Sequence, residues 1–275
     1  RLQALVKARG ADPKLMFALG ETLYRAGRPD LAGTWFDKVL SIAPGHELSL
    51  LYRISVAESL GDEAAIALAD EDYLEAYPDN LAIRREYSDR LMKMGAWDRA
   101  ASVIEAGLVY ENGAHIQRRL ALAYRNSGRY REAAIVYRDL LRADPSNSEL
   151  LLALVLCLDR DGKGDYALAL LEKAPAALKK TAGTSIILGR LYAKRNKMEA
   201  AVDALRLATE IEPKNARAWR DLGTLYKRQG LVEFAASCLE RADQLEPADK
   251  APAQAAGETG AIPRPKRPAQ AGKKR

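Results

Sequence analysis

One small residue recurs along the chain at a nearly constant interval, and this regularity limits the folds that the sequence can adopt. Six of its seven occurrences are glycine and one is asparagine, and successive occurrences lie 34 residues apart except for one interval of 33. A fixed period of this length is typical of arrays built from one repeated supersecondary unit. The seven residues are Gly27, Gly61, Gly95, Gly128, Gly162, Asn196 and Gly230.

Two further markers keep the same register. An alanine follows each of these residues by five positions, except that Ile66 stands in the second unit, and prolines close most units. Apolar residues recur at helical spacing before Asn196, and a second stripe runs from Ala201 towards Pro213. Each unit is therefore predicted to be two antiparallel helices, joined by a turn that needs a left-handed backbone residue.

Residues elsewhere in the unit add to this pattern and carry a family resemblance. A Leu-Gly pair stands in the first helix of several units, as at Leu188-Gly189, and an aromatic residue follows three positions later, as at Tyr192. Together with the turn residues, the alanines and the closing prolines, these pairs resemble the tetratricopeptide repeat. The resemblance implies an all-α fold, a right-handed α-solenoid of about seven helix-turn-helix repeats.

The same register divides the chain. Residues 1–12 are predicted to form a partial repeat that contributes only a second helix, and residues 13–249 to form the solenoid. Residues 250–275 are predicted to be a disordered basic tail, because they contain too few large apolar side chains to bury a core. The predicted repeats are 13–46, 47–80, 81–113, 114–147, 148–181, 182–215 and 216–249.

Side chains that carry chemistry are sparse in this sequence. Cys157 and Cys238 lie on apolar helix faces far apart in the chain, which predicts buried, unpaired thiols. The two histidines, His46 and His115, are isolated, and the sequence has no nucleophile–base arrangement, phosphate-binding glycine loop or zinc-binding helix motif. No catalytic residue, metal site or cofactor is therefore predicted, and the chain is not expected to be an enzyme.

The excess positive charge lies at the end of the sequence. Residues 250–275 hold seven basic residues and one acid, and subtracting these from the chain's 43 and 37 leaves 36 of each. The tail is interpreted either as a solubilising terminus or as an arm that binds nucleic acid or an anionic membrane surface. Its predicted anion-binding residues are Arg264, Lys266, Arg267, Lys273, Lys274 and Arg275.

The family resemblance also implies where a partner binds. In such arrays the first helices line the concave side, and their inner faces form a peptide-binding groove. Basic residues accumulate on these faces from the third unit onward, which favours a partner with an acidic segment. The alternative is that they are ordinary solvated charges, partly neutralised by Asp159 and Asp221. The predicted groove residues are Tyr52, Arg85, Arg118, Arg125, Arg190, Lys194, Arg220 and Lys227.

The last helix of the array raises a separate expectation. Pro247 leads directly into the tail, so the outer face of a helix over about 231–245 is expected to expose Phe234, Cys238 and Leu245. Exposed apolar surface of this kind favours association. We therefore predict that one end of the array, with Phe234 and Leu245 at its edge, mediates homo-oligomerisation or continues onto another protein.

These features predict a non-enzymatic protein–protein interaction scaffold that binds an extended peptide or partner helix in its concave groove and helps to assemble a complex. Two alternatives stay open. The first is an adaptor directed by its basic tail to nucleic acid or an anionic membrane surface. The second, by family analogy, is a periplasmic assembly factor for envelope or polysaccharide export. No apolar stretch is long enough to span a membrane. A cytoplasmic location is favoured, and a periplasmic one requires that a leader has been removed.

Overall fold

The computed structural model describes residues 12–175, 178 and 180–246. Fourteen α-helices are defined within this part of the chain, which contains no β-strand, and the predicted all-α fold is confirmed. The helices are α1 (Pro13–Arg25), α2 (Pro29–Ile42), α3 (Glu47–Leu60), α4 (Glu63–Ala76), α5 (Leu81–Lys93), α6 (Trp97–Gly107), α7 (Ala114–Asn126), α8 (Tyr130–Ala143), α9 (Ser148–Arg160), α10 (Gly164–Lys173), α11 (Ala182–Lys194), α12 (Met198–Ile211), α13 (Ala216–Arg228) and α14 (Val232–Leu245).

The helices stack in sequence order as an α-solenoid. Each helix packs against the one that follows it, and two consecutive helices form one hairpin unit. We call the odd-numbered helices first helices and the even-numbered ones second helices. None of the described helices is both long and apolar enough to cross a bilayer. Most of the predicted partial repeat, residues 1–11, and the predicted tail, residues 250–275, lie outside the described residues.

The seven turn residues adopt the backbone conformation that the sequence predicts. The six glycines have φ between +68° and +83°, and Asn196 has φ of +58°. Asn196 is the one non-glycine residue with positive φ in the described part of the chain. At Gly128 the turn is closed by the backbone amide of Arg129, which donates to the carbonyl of Tyr124 at 2.8 Å. This geometry ends the first helix and reverses the chain into the second.

Small residues let the two helices of a unit approach closely. Ala201 is fully buried, and a Cβ atom added to Gly189 would lie 2.6 Å from Cγ of Leu205 on the facing helix. Gly223 is equally confined, because a Cβ there would lie 2.9 Å from Leu239. The hairpins that have glycine at this position, in the first, sixth and seventh units, pack their two helices together most extensively.

The core is a strip that passes from unit to unit. One apolar cluster extends from Leu50 to Leu191, and a second extends from Ile186 to Cys238. The prediction of buried, unpaired thiols is confirmed, and burial raises the pKa of Cys157 to about 11. The expectation that Cys238 is exposed is wrong, because this side chain packs in the second cluster and is 7% exposed.

A buried ion pair replaces apolar contacts between the second and third units. Asp70 occupies the register position that holds Phe36 and Leu205 in other units, and its side chain is fully buried. Its Oδ2 accepts a hydrogen bond from Nε of Arg90 at 3.1 Å, whereas its Oδ1 has no hydrogen-bond partner. Burial raises the pKa of Asp70 to about 6, and the hydrogen bond and charge of Arg90 oppose this shift.

The turn geometry predicts the effect of a single methyl group. Gly128→Ala should lower the free energy of unfolding by about 1–2 kcal/mol, because φ of +83° is strained for an L-residue. Urea denaturation of the native and substituted chains measures the loss. Gly45→Ala is the matched control, since Gly45 lacks a positive φ and a Cβ there meets nothing within 4 Å. Equal losses for the two substitutions would contradict this account of the turn.

Asp70 should make stability depend on pH. Its pKa is raised from an ordinary value of 3.8 to about 6 in the folded chain, which therefore binds this proton more tightly than the unfolded chain. The resulting stabilisation is complete below the unfolded pKa and is lost as the pH rises through the folded one. Relative to Asp70→Asn, the native chain should lose about 2–3 kcal/mol of unfolding free energy between about pH 4 and pH 7.

Parallel denaturant titrations of the native chain and Asp70→Asn across this pH range measure that difference. Comparing the two proteins cancels the titration of the other carboxyl groups, which both chains share. A difference that stays constant, or one in which the native chain gains relative stability as the pH rises, would show that Asp70 is not the buried acid described here.

Candidate functional site

At three places in the stack, neighbouring first helices approach one another more closely than any two of the described second helices do. α1 packs against α3, α9 against α11, and α11 against α13, whereas no two second helices within the described chain pack as closely. A stack whose units approach one another along one side curves around that side. We call the solvent-facing surface of α1, α3, α5, α7, α9, α11 and α13 the groove.

Side chains link neighbouring first helices across the groove at one repeated register position. Each link joins residues 30 or 31 positions apart, so the same two helix faces meet each time. These contacts fix the relative placement of successive units, and they occupy polar groups that would otherwise be available to a partner. The links are Tyr52–Glu21 at 3.2 Å, Arg119–Asp89 at 2.5 Å and Arg190–Asp221 at 2.6 Å.

Tyr52, a predicted groove residue, belongs to an aromatic cluster. Its ring stacks on Phe36 with a centroid distance of 4.9 Å and meets Phe17 and Tyr24 edge-on at 5.7 and 5.5 Å. Burial and the nearby carboxylate of Glu21 raise the pKa of its hydroxyl. The half-buried Tyr52 is thus positioned by the chain's own contacts.

Four predicted groove cations have carboxylate partners inside the chain. The sequence-based expectation that Asp159 and Asp221 neutralise part of the groove agrees with these contacts. Exposed ion pairs add little stability, but a ligand must displace or share the existing carboxylate. Arg220 also donates to the backbone carbonyl of Glu246 at 3.0 Å. The pairs are Arg85–Glu111 at 3.4 Å, Arg190–Asp221 at 2.6 Å, Lys194–Asp159 at 2.5 Å and Arg220–Asp243 at 3.7 Å.

The other three predicted cations, Arg118, Arg125 and Lys227, have no carboxylate at ion-pair distance among the described residues. Arg118 and Arg125 both lie on α7, and their separation of seven residues, or two turns, places them on one face. Arg118 is exposed and Arg125 is half-buried. These two arginines therefore form a pair of positive charges without ion-pair partners in the middle of the groove.

A groove residue that the sequence analysis did not identify is Leu156. It lies on α9, one unit beyond the two arginines, and is 37% exposed. The half-buried Leu152 lies one turn earlier on the same helix. Leu156 therefore provides exposed apolar surface on the helix one unit beyond the two charges of α7.

Aligning the units on the turn residue would have identified Leu156. The fourth unit also carries a leucine at this register position, the half-buried Leu122, which lies on α7 between Arg118 and Arg125. The fourth and fifth units thus carry leucine at a position that is polar in the other five units. Those polar residues are Glu21, Ser55, Asp89, Arg190 and Thr224.

The remaining predicted site residues lie elsewhere. Phe234 is 62% exposed and packs its ring at 5.6 Å from that of Tyr226, and Leu245 is half-buried. Within the described ranges, no three His, Cys, Asp or Glu side chains are grouped so as to hold a metal ion. The predicted anion-binding residues of the tail lie outside the described residues: Arg264, Lys266, Arg267, Lys273, Lys274 and Arg275.

Family models match three segments of the chain. Two models described as tetratricopeptide repeat match residues 1–47 and 114–157, and one described as TPR repeat matches residues 189–230. A TPR repeat-containing protein of Pseudomonas aeruginosa is 26% identical over 164 residues, which are 59% of this chain. The matched region covers 28% of that relative's length.

Solved structures show the same fold. The structure titled MamA 41-end, from Desulfovibrio magneticus RS-1, is 21% identical with a TM-score of 0.52, and the match covers 62% of this chain and 97% of that one. Another crystal structure of MamA has a TM-score of 0.50 at 21% identity, covering 58% of this chain and 94% of its own. At this level of identity the likeness concerns the fold alone.

Proposed function

The chain is a tetratricopeptide repeat protein, a class that generally serves as scaffolds for protein interactions, and from this premise we propose a non-enzymatic scaffold whose groove binds a partner segment. The segment is an extended peptide or a helix that carries acidic residues beside an apolar one. One observation supports this choice above all. Arg118 and Arg125 have no carboxylate within ion-pair distance among the described residues and lie one unit from the exposed Leu156. The pKa of Asp144 is lowered by side-chain hydrogen bonds, and the charge of Arg118 helps to lower it further.

The unpaired charges of α7 favour an acidic partner. A carboxylate that binds Arg190 competes with Asp221, which already receives two short contacts from that guanidinium, at 2.6 and 2.7 Å. A carboxylate that binds Arg118 or Arg125 has no such ion pair to displace. Charge-assisted hydrogen bonds from arginine to carboxylate are among the stronger polar contacts in proteins, so these two residues offer the larger net gain.

Leu156 supplies the apolar part of the proposed contact. Over a third of this side chain is exposed, and covering it would contribute about 1 kcal/mol. Leu152 extends the apolar surface of α9 by one helical turn, and Leu122 adds half-buried apolar surface on α7 itself. Apolar contact favours binding without fixing direction, whereas the two arginines orient an acidic segment along the groove.

The tail-directed alternative depends on the charge of residues 250–275, which lie outside the described part of the chain. No described residue favours it over the groove. The same is true of a role in envelope or polysaccharide export. Both alternatives remain predictions from the sequence.

Charge reversal of α7 tests the proposal. In affinity capture from the lysate of the source cell, the double variant Arg118→Glu/Arg125→Glu should retain at least about tenfold less partner protein than the native chain. The reason is that two attractive contacts become repulsive. Quantitative mass spectrometry of the captured proteins compares the variant with the native chain. Circular dichroism establishes that both are equally helical.

Arg131→Glu is the matched control, since Arg131 is an exposed arginine on α8 of the same unit and lies outside the groove. It should capture the same proteins as the native chain. Partners retained by the double variant, or lost equally with Arg131→Glu, would place binding elsewhere on the molecule.

A further inference from the structure

A pocket of about 240 Å³ opens between α11 and α13, two units away from α7. Its floor is apolar and includes Gly189, Leu205 and Leu225. Its mouth carries charged side chains, among them Arg190 and Arg228. The pocket thus combines an apolar interior with a charged mouth on the groove side of the sixth and seventh units.

The pocket exists because one residue of α11 is small. Ala193 lines it, and the same register position in every other unit carries a longer side chain. A longer side chain at residue 193 would occupy the space between the two first helices. The residues in the other units are Tyr24, Glu58, Met92, Arg125, Asp159 and Lys227.

Positive charge surrounds the mouth. Arg190 is paired with Asp221, whereas Arg228 is exposed and has no ion-pair partner among the residues that the structure describes. Burial lowers the pKa of nearby Arg217, and the charges of Arg190 and Arg160 lower it further while Asp221 opposes them. Among the residues that line the pocket, the cations Arg190, Lys194 and Arg228 outnumber the one carboxylate, Asp221, so an anionic group is favoured at this mouth.

We propose that this pocket is an anchor subsite for one aromatic side chain of the partner, flanked by a carboxylate that meets Arg228. The proposal rests on the proposed function and adds a specificity determinant to it. An apolar cavity of about 150 Å³ is enough to bind benzene, so 240 Å³ accommodates a phenyl ring with its linking carbons. Charge complementarity at the mouth selects an acidic neighbour over a basic one.

The small probe 3-phenylpropionate combines the two required groups and tests the subsite without a known partner. Added to the full-length chain labelled with nitrogen-15, it should shift the amide resonances of Gly189, Ala193 and Thr224, which line the pocket. The cation 2-phenylethylammonium, with the same ring and opposite charge, should bind at least about tenfold more weakly.

Two substitutions locate the probe. Ala193→Tyr should abolish binding by filling the pocket, and Ala193→Met should weaken it; both side chains already occur at this register position, as Tyr24 and Met92, so the fold accommodates them. Arg228→Glu should weaken binding of 3-phenylpropionate by about tenfold, through repulsion of the carboxylate.

The proposed subsite would be contradicted if the native chain showed no shifts at these amides or if both probes bound equally. It would also be contradicted if the Ala193 variants bound 3-phenylpropionate as tightly as the native chain does. Each of these results is independent of capture by α7. If the pocket proposal failed, loss of partners on charge reversal at Arg118 and Arg125 would still support binding in the groove. If the double variant retained its partners, the proposed function would be contradicted even if the pocket bound its probe.

Discussion

A single helical hairpin of this chain cannot bury its apolar face, and the next hairpin must cover it. The structure depends on this nearest-neighbour packing, because one apolar cluster runs without interruption from Leu50 to Leu191. The packing requires that each hairpin reverse at the same register position, which the left-handed turn residues enforce, and that its helices approach closely, which Ala201 and Gly189 permit. Because the hairpins are alike, the first helices lie in one row, and their solvent-facing surfaces together form the groove.

Much of the fold could be predicted from the sequence because it depends on local features repeated seven times. A glycine such as Gly128 and an alanine five residues later specify a turn and a close helix contact wherever they occur together. The site could be predicted less completely, since pairing across units decides which charges are free. Arg85 and Arg118 occupy the same register position, yet only Arg85 has a carboxylate, that of Glu111, at ion-pair distance. Aligning the units on the turn residue shows Leu156 as an apolar residue at a position that is polar in five other units.

Departures from the register carry most of what distinguishes this chain. Asp70 places a carboxyl group where other units bury an aromatic or aliphatic side chain. Arg90 from the next unit forms an ion pair with it. Ala193 leaves space where other units fill it, and Leu156 exposes an apolar side chain at a position that is polar in five units. The shared register explains stability, whereas these exceptions are where we expect pH dependence and propose recognition.

Photocrosslinking from Leu156 tests whether the groove contacts the partner segment. The photoreactive residue p-benzoylphenylalanine would replace Leu156 in one variant and Ile135, which is 46% exposed on a second helix, in another. After irradiation in the source cell, mass spectrometry identifies the partner segment joined to each position. Binding in the groove should give crosslinks at residue 156 to a segment with acidic residues beside an apolar one, and none to that segment at residue 135. Crosslinks to the same segment at both positions, or at residue 135 alone, would show that the segment does not bind in the groove.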